Sequence, residues 1–309
     1  MDFYVSWSHS DALYSDYFES CPLLISAISR NTYSLKRFKK VPLKLIIDSG
    51  AVFYAKKNLK YKVKDIFEKQ LILATPLLNK CPITLVHADE PLLNKKTISE
   101  KFDAVQKTIV NAQEYMNLAK RNSIVQENKL SIMGVIQGYD LPSLRFSIFE
   151  LKKLGYVKFG IGSLLGKSVD VQIELIKFAS ELVGAENLHV FGVTGIPQIK
   201  EMKNMKIASF DSSRPTKAAI YHQVFYSNPF QTFVIDQSKI DKRQGQRLGA
   251  PLACACPICK INQNDIFNIS HRKYTLLRSI HNYYHFSKTI NRIIHEEVTS
   301  DVISNVLRS

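Results

Sequence analysis

Three cysteines stand close together as Cys254-x-Cys256-x-x-Cys259, and His271, His281 and His285 follow them. Thiolates at this spacing can wrap one metal ion from a tight loop, and a fourth ligand must come from elsewhere in the chain. A set closed by three cysteines and one histidine leaves no position for water, which implies a structural zinc rather than a hydrolytic one. Neither an HExxH pattern nor an HxE…PCxxC pattern is present, as a zinc hydrolase or deaminase would require. The remaining cysteines, Cys21 and Cys81, stand apart. An odd, clustered count speaks for a reducing compartment and a metal site, not for a disulfide framework.

A second set of residues could do acid–base and nucleophilic work. Short apolar runs end in Asp48-Ser49-Gly50, in His87-Ala88-Asp89-Glu90, in Gln137-Gly138, in Gly160-Ile161-Gly162-Ser163 and in Asp211-Ser212-Ser213. Two carboxylates facing one glycosidic carbon can divide labour. One attacks or stabilises an oxocarbenium-like centre, and the other handles a proton. A third carboxylate and a carboxamide can recognise a heterocycle that carries N–H donors and a carbonyl. A glycine lets backbone approach a flat ring closely. Any one of these aspartates could instead cap a following helix; three at strand ends in one barrel argue for a site.

The elements that would position them alternate. Apolar runs at 3–7, 23–27, 43–48, 83–87, 131–137, 157–162, 188–193 and 207–211 read as strands, bounded by Gly, Pro, Asp or Ser. Helical spacing fills 97–122, where Phe102, Val105, Ile109, Ala112 and Met116 share a face, and also 144–154, 171–182 and 215–225. Eight strands in βα alternation predict an α/β fold, a (β/α)8 TIM barrel whose strand ends share one mouth. A doubly wound open sheet is the alternative, but GxGxxG and GxxxxGK[ST] are absent. The expected organisation is a barrel core over 1–238 and a small inserted zinc-binding subdomain over 239–285. A C-terminal helix over 286–309, with Ile290, Ile293, Ile294 and Val298 on one face, packs back on the barrel.

With 309 residues, 45% apolar and 22% charged, the chain is neither disordered nor, with 12 Gly and 11 Pro, collagen-like. Its apolar runs are far too short to span a bilayer, and the first residues lack a secretory signal, so no membrane partner and a cytoplasmic location are expected. The charge is uneven. Lys and Arg number 42 against 27 Asp and Glu, a net +15. Ten basic residues lie between Lys36 and Lys64 (Lys36, Arg37, Lys39, Lys40, Lys44, Lys56, Lys57, Lys60, Lys62 and Lys64), opposed only by Asp48 and interleaved with Tyr33, Phe38, Phe53, Tyr54 and Tyr61. A second basic region runs from Lys239 to Arg292. Cations mixed with aromatics favour a phosphate backbone with bases that can stack, so nucleic acid is the expected partner.

These motifs resemble, in order and spacing over about residues 43–300, the queuine/archaeosine tRNA-guanine transglycosylases, a zinc-containing barrel family. The matching segments are IIDSGA at 46–51, HADE at 87–90, GVIQG at 134–138, GIGSL at 160–164, SFDSSRPT at 209–216, CACPIC at 254–259 and HN at 281–282. The resemblance implies that Asp211 is the nucleophile on C1′ of the target nucleoside and forms a covalent glycosyl-enzyme intermediate. It implies that Asp48 is the acid/base that assists guanine departure and then deprotonates an incoming 7-deazaguanine. Asp89, Gln137, Gly138 and the Gly162 backbone match base-recognition positions, and Ser49 neighbours the acid/base. Cys254, Cys256, Cys259 and His281 would hold a structural Zn2+. The family's usual cysteine-to-histidine interval points instead to His285, the rival fourth ligand. The base must leave its stack to be reached.

Departures bear on the substrate. The chain opens FYVSWSHSD in place of the family's motif-rich start, and Lys217-Ala218-Ala219-Ile220 stands where the tRNA enzymes carry an arginine-containing run. DSGGF has become Asp48-Ser49-Gly50-Ala51-Val52-Phe53. This pattern looks like the DNA-modifying (DpdA-type) branch, which exchanges guanine in DNA for a base such as 7-cyano-7-deazaguanine. Its members occur in bacterial modification clusters, with possible partner proteins, and in phages. Exchange in tRNA is the alternative, and a catalytically silent nucleic-acid-binding subunit is a third reading.

Overall fold

The computed structural model describes residues 1–8, 10–28, 39–236 and 246–295. They fall into two compact units. The larger comprises 2–198 and 204–213, and the smaller takes residue 1, 199–203 and the chain from Arg214 on.

The larger unit is a closed parallel barrel of eight strands in sequential order. They are β1 (Asp2–Trp7), β2 (Leu23–Ser26), β3 (Leu45–Asp48), β4 (Ile83–Val86), β5 (Ser131–Ile136), β6 (Lys158–Ile161), β7 (Leu188–Val190) and β8 (Ser209–Ser212). Pairing of β8 with β1 closes the ring, with Phe3 opposite Phe210 and Tyr4 opposite Asp211. The short α1 (Tyr14–Tyr17) follows β1, and α2 (Ala51–Lys57) and α3 (Val63–Ala74) follow β3. Then come α4 (Ile98–Arg121), α5 (Ser123–Glu127), α6 (Leu141–Lys153), α7 (Val169–Val183) and α8 (Ile196–Asn204). All eight expected strands form, and the α/β barrel is as expected.

Side chains alternate along a strand, so every second residue enters the barrel. Tyr4, Leu24, Ile46, Val86, Met133 and Val135 form one buried cluster, joined by Phe191. Gly160 makes room in it: a Cβ there would lie 2.3 Å from the Phe191 ring and 3.0 Å from Met133 Sδ. Stepping two places on from Tyr4, Ile46, Val135 and Gly160 names four positions at the mouth. They are Ser6 after Tyr4, Asp48 after Ile46, Gln137 after Val135, and Gly162 after Gly160.

Two helix starts are built by capping boxes. Thr97 accepts from the Glu100 N–H at α4, and Asp140 accepts from the Ser143 N–H at α6. Gln70 on α3 is fully buried and spans two strands. Its Nε2 donates to the carbonyls of Ile47 and Val86, each at 2.8 Å, and its Oε1 accepts from the Tyr115 hydroxyl at 2.5 Å.

The smaller unit holds α9 (Arg214–Ile220), a sheet of β9 (Gln223–Ser227), β10 (Phe230–Val234) and β11 (Gln246–Arg247), then α10 (Cys259–Asn262) and α11 (Arg272–His295). The helix expected over 215–225 therefore ends at Ile220, and Phe225 lies in a strand paired antiparallel to β10. The helix expected to begin near Phe286 begins at Arg272. It buries polar side chains beside Phe286, whose ring packs on Phe225 and Phe230. Arg278, fully buried, donates to the carbonyls of Ala219, Ile266 and Asn268. Asn282 accepts from Phe225 N at 2.9 Å and donates to Gln223 O at 2.9 Å, standing in for a neighbouring strand. The Arg214 guanidinium lies over the rings of Phe225, Phe230 and Phe286 at 5.1 to 5.6 Å. Among the described residues no helix is long and apolar enough to cross a membrane.

Replacing Gln70 by Leu strands two carbonyls and a tyrosine hydroxyl in the interior. Gln70→Leu is expected to lower the unfolding free energy by about 3 kcal/mol in a denaturant titration, because unsatisfied buried groups carry their full desolvation cost. A loss below about 0.5 kcal/mol would mean that these carbonyls need no such bridge.

Candidate active site and metal centre

Asp211 lies on β8 and is buried. Ser6 Oγ donates to its Oδ2 at 2.5 Å, and Gly192 N donates to its Oδ1 at 2.9 Å. Asp48 ends β3, and its Oδ2 accepts from Gly50 N at 2.9 Å. It is not the N-cap of α2; Gly50 is, at φ 81°. That left-handed φ favours glycine, and a Cβ there would press on the Ile28 side chain at 1.9 Å. Asp89 follows β4 and is held on three sides. Gln137 Nε2 donates to Oδ2 at 2.5 Å, Ser49 Oγ donates to Oδ1 at 3.4 Å, and the Tyr61 hydroxyl donates to the Asp89 carbonyl at 2.7 Å.

The remaining predicted positions lie in the same unit. Gln137 follows β5 and is buried. Ser163 Oγ donates to its Oε1, and that bond fixes which end of the amide faces Asp89. Gly162 donates its N–H to Ile136 O at 3.0 Å, so this group is spent within the barrel. What Gly162 leaves is space, since a Cβ there would sit 2.7 Å from Gln137 Nε2. Gly138 lies against the first turn of α6, where a Cβ would meet Leu144 N at 2.8 Å.

The carboxylates perturb one another. The Asp48 carboxyl is raised to about 7, first by burial and next by the Asp89 charge, with Asp211 adding to it; the N–H groups of Gly50 and Ser49 pull the other way. Burial raises Asp89 to about 6 against the stabilising Gln137 bond. Burial lowers His87 to about 4, which keeps it neutral. Asp48 thus changes protonation near neutral pH, as a group that gives and takes one proton should. Three predicted carboxylates are therefore brought within electrostatic reach of one another. Sequence reasoning missed Ser6 and Gly192, named Tyr61 only among the aromatics of the basic segment, and named Ser163 only as part of a strand-end run. Counting two places on from Tyr4 would have found Ser6, whereas the other three sit in loops with no periodic signal.

The cysteine cluster lies in the smaller unit. Cys254, Cys256, Cys259 and His281 offer ligand atoms that all lie within 4.8 Å of one another. His281 Nδ1 is 3.7, 3.5 and 3.4 Å from the three sulfurs in that order. A tetrahedral zinc with ordinary bond lengths demands S···N edges of about 3.6 Å, so the set fits this ion. His281 Nε2 donates to Phe225 O at 2.9 Å, which turns Nδ1 toward the sulfurs. The thiols of Cys254 and Cys259, with His281, pull the Cys256 thiol far below its usual range. These four residues form a metal site of the structural zinc type. His285 is not one of the four. Its Nε2 lies 3.1 Å from Cys254 Sγ and its Nδ1 3.0 Å from Ser227 Oγ. Bound zinc would tie the 254–259 loop to α11.

Two measurements check these assignments. Metal analysis should find about one zinc per chain in the wild type and in His285→Ala, and none in Cys256→Ser or His281→Ala. Zinc retained by His281→Ala and lost from His285→Ala would reverse the ligand choice. The second measurement is stability against pH. A carboxyl whose folded value is raised stabilises the fold below its unfolded value, near 4, and loses that contribution as pH rises through about 7. Asp48→Asn should therefore gain stability relative to wild type between pH 4 and pH 7 and keep the gain above it. A difference that does not change with pH would refute the raised value.

The family model described as queuine tRNA-ribosyltransferase (TGT) matches residues 83–308, well over half of the chain. Among curated proteins, the queuine tRNA-ribosyltransferase of Chlamydia trachomatis serovar L2 is 27% identical over 200 residues, covering 64% of this chain and 52% of that protein. Those of Chlamydia pneumoniae and Chlamydia abortus are 27% and 26% identical over 180 residues, covering 56% of this chain and 47% of theirs. The chain spans about half the length of the curated relatives it matches. The matched residues include Asp89, Gln137, Asp211 and the whole metal cluster, and the chain therefore belongs to the queuine tRNA-ribosyltransferase family.

Proposed function

We propose that this protein is a guanine transglycosylase acting on nucleic acid, with tRNA as the polymer. The observation that carries the chemistry is the crowding of Asp48, Asp89 and Asp211 at one barrel mouth, with Asp48 pushed to about 7. Asp211 attacks C1′ of the target nucleoside as the C1′–N9 bond breaks, and the electron pair leaves with guanine. Asp48, carrying a proton near neutral pH, supplies it to the departing base and afterwards takes one from the incoming base. Asp89, Gln137 and Ser49 face the base edge, with Gly138 and Gly162 keeping the loops close. The barrel forms the catalytic core, and the metal-bearing segment with its following helix forms the rest.

The polymer would be gathered by the segment between β3 and α3. Lys56, Lys57, Lys60 and Lys62 are exposed there, and Lys64 is exposed in the first turn of α3. Tyr54 and Tyr61 are in ring contact at 5.1 Å, and Tyr61 also bonds Asp89. Lys36, Arg37 and Tyr33 lie outside the described residues, as do the basic residues at 239–243. The relatives' printed names favour tRNA. A second reading, exchange in DNA for a 7-deazaguanine within a DNA-modification system of a bacterial or phage-infected cell, is supported by Lys217-Ala218-Ala219, which replace an arginine-containing run.

The test is incorporation of labelled guanine and labelled 7-cyano-7-deazaguanine into total tRNA or duplex DNA. Label in tRNA is expected; label in DNA alone would transfer the proposal to the second reading, and label in neither would overturn it. Asp211→Asn should lose at least about 10³-fold in exchange rate. The wild-type rate should peak near pH 7, and Asp48→Asn should flatten that profile.

A further inference from the structure

His189 lies on β7 beside β8, only 1% exposed. Its Nε2 is 3.5 Å from Asp211 Oδ1 and, among the described residues, makes no hydrogen bond. Its Nδ1 is 2.8 Å from Ser209 Oγ. The rings of Tyr4 and Phe191 flank it at 5.7 and 4.7 Å. Ser209 and Asp211 are two apart on one strand, so they point the same way and meet the two nitrogens of one imidazole.

A neutral histidine carries its proton on one nitrogen only. A proton on Nδ1 would aim the Nε2 lone pair at a carboxylate oxygen, which is repulsive. A proton on Nε2 aims a donor there. The Ser209 hydroxyl can donate or accept and so imposes no choice; Asp211 imposes it.

We propose that His189 is a positioning residue for Asp211: its Nε2–H, together with Gly192 N–H, holds Oδ1, which leaves Oδ2 as the oxygen that attacks C1′. This rests on Asp211 being the nucleophile proposed above. Among the described residues Oδ2 is held only by the Ser6 hydroxyl, which can rotate away. As Oδ2 forms its bond to C1′, Oδ1 becomes the carbonyl oxygen of the glycosyl ester, and the C1′–N9 pair leaves with the base. In the second half-reaction the ester pair returns to the carboxylate. The two donors on Oδ1 stabilise that returning charge and keep the carboxylate plane aligned.

The experiment has two arms on the full-length, zinc-loaded protein. The first is 15N imidazole NMR, with the His189 signals assigned by their loss in His189→Gln. A neutral Nε2–H tautomer is expected, with its proton resonance shifted by Asp211→Ala. An Nδ1–H tautomer, or an Nε2–H signal indifferent to Asp211→Ala, would overturn the inference whatever the substrate. The second arm is single-turnover transfer from the covalent intermediate to the incoming base, the step in which charge returns to Asp211. His189→Phe and His189→Asn, which place no donor at Oδ1, should lose about 10²-fold in rate with the KM for polymer and base unchanged. His189→Gln, whose amide nitrogen reaches the Nε2 position, should recover at least about tenfold of that loss. Equal rates in Gln and Phe variants, or a change confined to KM, would also overturn it. If His189→Phe does not fold, the wild-type tautomer and the Gln–Asn pair still decide. A wild type that exchanges no base but shows the Asp211-dependent Nε2–H signal removes the transglycosylase reading and keeps the pairing.

Discussion

The register between β1 and β8 is the constraint on which the candidate site depends. Tyr4 lies opposite Asp211 and Val5 opposite Ser212. Because side chains alternate, a slip of one residue would turn Asp211 out of the barrel and bring Phe210 in. The same register sets Ser6, two beyond Tyr4, at 2.5 Å from Asp211 Oδ2. The first and last strands of the barrel thus jointly build one carboxylate's surroundings. An open sheet with the same eight strands would leave Asp211 on an edge without that donor.

Within the mouth, function and folding pull in opposite directions. Burial raises Asp48 to about 7, with the Asp89 and Asp211 charges adding to it, and burial raises Asp89 to about 6. A fold selected for stability alone would place apolar or neutral residues there. The strain is contained by many small bonds: Gln137, Ser49 and Tyr61 on Asp89, Gly50 on Asp48, Ser6 and Gly192 on Asp211. Two of the donors are themselves fixed, Gln137 by Ser163 and Tyr61 by Asn111 at 3.0 Å. The geometry is therefore over-determined where the electrostatics are least favourable.

Much of this was legible in the residues. Parallel barrel strands are buried on both faces and read as apolar runs, so all eight were visible along with the aspartates at their ends. The smaller unit was less readable, for two reasons. The run Gln223-Val224-Phe225-Tyr226-Ser227 continues an apolar pattern begun in α9, and periodicity over so few residues does not separate helix from strand. The start of α11 was hidden because its packed face carries Arg278, Ser279, His281, Asn282 and His285, all buried. A helix that buries polar groups against backbone carbonyls looks exposed in sequence. His189 escaped notice for a related reason: a polar residue inside a barrel strand gains meaning only from the neighbouring strand.

His281 and Asn282 are adjacent on α11, yet one faces the sulfurs and Phe225 O while the other pairs with β9 as a strand would. Consecutive helical residues differ in direction by about 100°, so the helix must sit at one rotation for both to succeed. An insertion of a single residue in α11 ahead of His281 would break the sulfur contact and the strand pairing together. One placed after His285 would spare both. The dipeptide therefore records in two letters the helix rotation that the buried Ile280, Tyr283, Phe286 and Ile290 also require.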